Sequence, residues 1–70
     1  TAALLYPNPF SSELNLQVKG NFNYKITDIN GTEAESGQNQ PKVGQELQSG
    51  VYFISITQED KTRNFKVVKQ

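Results

Sequence analysis

Seven carboxylates and five serines are the side chains here that could carry acid–base or nucleophilic chemistry, and the chain has neither histidine nor cysteine to assist them. A serine hydroxyl is a weak nucleophile until an adjacent base takes its proton. Ser11, Ser12, Ser36, Ser49 and Ser55 have only lysines as conceivable bases. A carboxylate pair must flank a substrate cleft to act as acid and base. Glu13, Asp28, Glu33, Glu35, Glu46, Glu59 and Asp60 are instead scattered over turns and polar strand positions, where charges normally sit in water. The expectation is a domain that is not an enzyme.

Binding chemistry is narrowed in the same way. Zinc takes nitrogen or sulfur ligands, which this chain lacks. Asp28-Ile29-Asn30-Gly31-Thr32-Glu33 gathers oxygen ligands around a glycine, but that glycine comes two residues too early for an EF-hand loop, and a hairpin turn explains Asn30-Gly31. No cofactor is expected. Tyr6, Phe10, Phe22, Tyr24, Tyr52, Phe53 and Phe65 could form a stacking platform for sugars or bases, yet most recur at period two among aliphatic neighbours, as core residues do. Tyr6, Phe10 and Phe53 are the expected exceptions to burial. Seven basic residues balance seven acidic ones, so no long-range attraction draws in nucleic acid or anionic lipid.

The elements that position these residues are short. Seventy residues allow one domain with one small core, burying about 60% of the surface of the unfolded chain, and no disulfide can reinforce it. No run reaches the ~20 apolar residues of a membrane span. Thr1 to Leu5 is apolar but lacks the basic leader of a signal peptide. The chain does not start with Met and reads as a piece of a longer protein, whose export signal could lie upstream.

Evenly spaced turn residues with short apolar runs between them predict an all-β fold. Ala2 to Tyr6 is the first strand, ended at a sheet edge by Pro7-Asn8-Pro9. Leu14, Leu16 and Val18 alternate with polar residues and face inward, as do Phe22, Tyr24 and Ile26. Asn30-Gly31 predicts a type I′ hairpin turn, and a bulge near Asp28 would bring Ile29 back into phase. Thr32 to Gln38 reads as an exposed edge strand whose charges discourage further pairing. Asn39 to Gly44 reads as a loop, with Val43 and Leu47 anchoring a short irregular strand. Val51 to Ile56 reads as a central strand covered on both faces. After a Glu59-Asp60 turn, Thr62 to Lys69 closes the fold, with Phe65 and Val67 facing inward and Lys66 and Lys69 a solvated strand end. The fold class is a small antiparallel β-sandwich, immunoglobulin-like, of six or seven short strands.

Four stretches in this order go beyond fold class. Leu5-Tyr6-Pro7-Asn8-Pro9-Phe10 opens the chain, Asp28-Ile29-Asn30-Gly31 follows, Leu47-Gln48-Ser49-Gly50-Val51-Tyr52-Phe53 leads into the long apolar strand, and Phe65-Lys66-Val67-Val68-Lys69 comes last. The ordered set resembles the type A C-terminal sorting domain of the type IX secretion system, carried by many exported proteins of Bacteroidota. The resemblance covers nearly the whole chain, with residues 1–5 able to include the end of an upstream linker. It departs at Gln48, where the family often has proline, and at Gln70, which follows Lys69 where the family often ends on a lysine-rich pair.

The resemblance implies an address that is a substrate and not a catalyst. An upstream cargo domain crosses the periplasm. The sorting domain docks on the outer-membrane translocon and its barrel-shaped shuttle, a sortase-like cysteine peptidase removes it, and the cargo reaches the cell surface joined to anionic lipopolysaccharide or is secreted. The implied recognition residues are Gly50, Tyr52, Lys66, Val67, Val68 and Lys69. Gly50 reads equally as a turn residue and Tyr52 as core, and the last strand could offer its edge to a partner by β-augmentation. The rival is an immunoglobulin-like adhesion or carbohydrate-binding module.

Overall fold

A computed structural model describes residues 3–70. Seven strands run in chain order: β1 (Ala3–Tyr6), β2 (Leu14–Val18), β3 (Asn23–Asp28), β4 (Glu33–Gln38), β5 (Lys42–Val43), β6 (Gly50–Gln58) and β7 (Lys61–Lys69). Ala2, the expected start of the first strand, lies outside the described residues. The strands form two antiparallel sheets, one in the order β1-β2-β5 and the other in the order β4-β3-β6-β7. This is the expected sandwich, with β4 hydrogen-bonded beside β3 at the edge of the larger sheet.

Alternation builds the core. Leu14 and Leu16 point inward from β2, Tyr24 and Ile26 from β3, Tyr52, Ile54 and Ile56 from β6, and Val67 from β7. Val43 reaches the same core from β5, and Phe22 from the link into β3. Phe10 is 1% exposed, at the centre of the cluster, against the expectation that it stands outside. Tyr6 and Phe53, the other two expected exceptions, are indeed exposed.

The turns differ in detail from expectation. At Asn30-Gly31 only Gly31 has positive φ, at +84°, so the turn is not type I′. The Gly31 N–H donates to the Asp28 carbonyl, and the Asp28 N–H donates to the Thr32 carbonyl. Ile29 and Asn30 therefore make an ordinary turn, with Gly31 as the left-handed third residue of the loop. The Asp28 carboxylate accepts the N–H groups of Asn30 and Thr32, as a turn aspartate does. The bulge falls on the partner strand: Ile26 pairs with Glu35 but Thr27 with Glu33, which leaves Ala34 as the extra residue. Ile29 stays in the turn, 70% exposed.

Strand β5 holds only Lys42 and Val43, inside the expected loop, and Leu47 belongs to a turn in which its N–H donates to the Gly44 carbonyl. Strand β6 lies between β3 and β7, but only its inner face is covered; Phe53 on the outer face is 42% exposed. The expected double coverage fails because the sandwich has no third layer on that side.

Candidate functional site

The last strand divides its residues by face. Val67 is 1% exposed and packs in the core. Lys69, two residues on and on the same face, is 7% exposed. Its Nζ donates to the carbonyls of Gly44 at 2.7 Å, Ser12 at 3.1 Å and Gln45 at 3.4 Å. The ammonium also lies 5.2 Å from the centre of the Phe10 ring, within cation–π range. Lys69 is therefore not a solvated strand end. The alternation that carries Val67 into the core carries the next inward residue to the end of the sandwich, where loop carbonyls replace water around the charge. Lys66 faces the other way and is exposed, as expected.

Gly44 is the hinge of this arrangement. Its carbonyl accepts from Lys69, and its N–H donates to Glu35 Oε1 at 3.1 Å. A Cβ built on Gly44 would sit 3.0 Å from the Phe10 ring, and its φ is +81°, so both space and backbone call for glycine. The other carboxylate oxygen of Glu35 accepts from the Tyr24 hydroxyl at 2.7 Å. Burial, with the Glu35 hydrogen bond and charge added, pushes the Tyr24 hydroxyl up to about 12. Glu35 thus departs from the expected solvated face. It is the inward-facing residue of β4 at the register of Ile26, and it links the larger sheet to the loop after β5.

The segment after β1 closes the far side of β7. The Asn8 side chain donates to the Lys66 carbonyl at 3.1 Å and accepts the Val68 N–H at 3.1 Å, as a neighbouring strand would. The Phe10 N–H donates to the Val68 carbonyl, and the Phe10 carbonyl accepts the Gln70 N–H. Phe10 and Lys69 form a parallel bridge. The peptide bonds before Pro7 and Pro9 are cis. The expected offer of the β7 edge around Val67 to Lys69 is not available, because residues 8–10 already occupy it.

The other candidates follow the same division. Tyr52 is buried, and its hydroxyl donates to the Gln48 carbonyl at 2.8 Å, so it ties down the loop that enters β6. Gly50 opens β6 with φ at +158°, a conformation that side-chain-bearing residues rarely adopt, although a Cβ there would have room, 3.8 Å from the Tyr52 ring. Val68 is half-buried on the outer face, beside Val51. The structure therefore brings Gly50, Tyr52 and the terminal residues to one end of the β6–β7 pair, where Gly50 pairs with Lys69 and Tyr52 with Val67. Sequence reasoning missed Asn8, Phe10, Glu35 and Gly44. Asn8 and Phe10 were visible only as part of the stretch that carries the family resemblance, and Gly44 only as a glycine in a proline-containing loop.

An open groove of about 570 Å³ lies at the opposite end of β6, lined by Lys19, Ile56, Gln58, Glu59, Lys61 and Arg63 among others. It contains none of the candidates. Exposed Tyr6 and Phe53 lie in different sheets and do not form one aromatic platform.

No curated protein matches this chain. A sequence model for a family described as the secretion system C-terminal sorting domain matches residues 4–70, from the exposed Leu4 through the Asn8 clasp to the end of the terminal strand. The chain belongs to the type IX secretion C-terminal sorting domain family.

Proposed function

We propose that this domain is read as a folded address by the type IX outer-membrane translocon and its shuttle protein, carries an upstream cargo domain out of the periplasm, and is then removed by a sortase-like cysteine peptidase. The carrying observation is the family match over residues 4–70. The domain acts as substrate to this machinery and contributes no catalytic group. Of the candidate residues, this reading assigns partner contact to the exposed Lys66 and half-buried Val68, and the shape that presents them to the buried Tyr52, Val67 and Lys69.

The test is a reporter with an N-terminal export signal, fused ahead of residues 1–70 and expressed in a bacterium with a type IX system and in a strain lacking its translocon. The expected result is surface reporter in the first and periplasmic reporter in the second. Removal of the domain should produce a shorter surface product only where the peptidase is present. An intact, folded fusion held in the periplasm of the competent strain would refute the reading.

A further inference from the structure

The outer face of the β4-β3-β6-β7 sheet carries an apolar row that the sandwich does not cover. Alternation along β6 sets Val51 and Phe53 opposite the buried Tyr52 and Ile54. Across the β6–β7 ladder, Val51 pairs with Val68 and Phe53 with Lys66. Phe53 is 42% exposed, and Ile29 projects at 70% exposure from the turn at the same end of the sheet. On its other side Phe53 pairs with Thr27, and the next outward register sets Lys25 beside Ser55. The one ion pair among the described residues is Lys42–Glu13, so Lys25 and Lys66 face outward without a carboxylate partner.

We infer that this row — Val51, Phe53 and Val68, with Lys66 at its margin — is the surface by which the secretion machinery holds the domain, and that it fits a protein surface offering an apolar contact flanked by a carboxylate. The inference rests on the sorting reading and adds to it where contact is made. Three observations direct it. The β7 edge at Lys66 to Gln70 is closed by Asn8 and Phe10, so a partner cannot add a strand there and must approach over the face. The two candidate terminal residues that are not buried, Lys66 and Val68, both open on this face. An unpaired lysine beside apolar side chains is satisfied by an acidic group set at the rim of an apolar contact.

An anionic lipid surface fits less well. Each surface lysine adds only about 1 kcal/mol of attraction to such a membrane, and stable attachment takes a stronger combination of signals than two lysines. A second copy fits less well too, because facing sheets would set lysine-bearing rows against each other while the Glu33 carboxylate already accepts from Ser36.

The test uses the same fusion with Phe53→Ser and Lys66→Glu, singly and combined, with Lys66→Arg as the conservative variant and Asn23→Glu as a control at the other end of the same face. Melting curves of the corresponding 70-residue chains report folding. The inference expects wild type, Lys66→Arg and Asn23→Glu to reach the surface, and the double variant to melt cooperatively yet show at least about tenfold less surface reporter. A folded double variant displayed at the wild-type level overturns the inference and leaves the sorting reading intact. A wild-type fusion that stays in the periplasm removes both. Sedimentation of the wild-type chain with phosphatidylglycerol vesicles, lost in Lys66→Glu, would overturn it in favour of a lipid partner. A wild-type dimer made monomeric by Phe53→Ser would overturn it in favour of self-association.

Discussion

Replacing Lys69 with methionine removes a charge while keeping an unbranched chain of similar length against Phe10. The ammonium donates to three carbonyls, two of them at 3.1 Å or less. A hydrogen bond to a charged group contributes about 1.5–3 kcal/mol. Two good ones and a weak third give roughly 3–6 kcal/mol. Against this, the buried ammonium no longer has to be desolvated, which returns several kcal/mol. The net loss is about 2 kcal/mol, because the Gly44 carbonyl is left without its donor. A chain of 70 residues has a total stability of about 4–10 kcal/mol, so this is a large fraction of it. At about 4–8 °C per kcal/mol for a domain of this size, the melting temperature should fall by about 8–16 °C. The exposed Lys66→Met variant should change stability by no more than about 0.5 kcal/mol. Thermal melts by circular dichroism of both variants are the assay. If Lys69→Met melts with the wild type, the ammonium is not held as described, and Lys69 returns to the solvated strand end read from the sequence. The same reasoning warns against replacing both lysines with glutamate to test recognition: at position 69 a carboxylate would face three carbonyl oxygens, and loss of export would report unfolding.

Three further outcomes are expected. Leu16→Ala should cost about 2–5 kcal/mol in a denaturant melt, since Leu16 is 5% exposed; an unchanged midpoint would place β2 in the wrong register. Gly44→Ala should cost about 2–4 kcal/mol, from a positive φ together with a Cβ 3.0 Å from the Phe10 ring, and wild-type stability would show that neither constraint holds. Burial and the Glu35 contact raise the Tyr24 hydroxyl from its ordinary 10 to about 12, so its contribution is fully present below pH 10 and is lost as pH rises through 12; Tyr24→Phe should lack that decline, and parallel melts of the two proteins at pH 9 to 12 would detect it.

Strand positions along the chain and inward faces were legible because alternation is a property of the local backbone. Leu14 and Leu16 on β2, and Tyr24 and Ile26 on β3, needed only period two to be placed. The contacts that define the site were not legible, because they join residues far apart in the chain. Lys69 and Ser12 are separated by 57 positions and Asn8 and Val68 by 60, and no local pattern says that a terminal lysine will find carbonyls from two loops. Glu35 looked like an edge-strand charge because the Ala34 bulge, a feature of pairing, decides which residues of β4 turn inward. Phe10 sits between prolines and serines with no apolar neighbour at period two, so nothing local announced a core residue. The family resemblance was carried by Pro7-Asn8-Pro9-Phe10 and Lys66-Val67-Val68-Lys69 together, and these are the segments that meet in space.

That meeting bears on how the domain comes into being. Residues 8–10 are synthesised before the residues that Asn8 and Phe10 clasp, which for Asn8 lie 58 and 60 positions later. The backbone at residues 8–10 therefore stays without these partners until Lys66 to Gln70 reach it. A chain without residues 67–70 would lose the core side chain Val67 and the Lys69 ammonium together with the clasp. The clasp makes the closed sandwich depend on both segments at once, so a receptor that binds only the closed form would pass over chains in which either is missing or misplaced, without reading any separate mark.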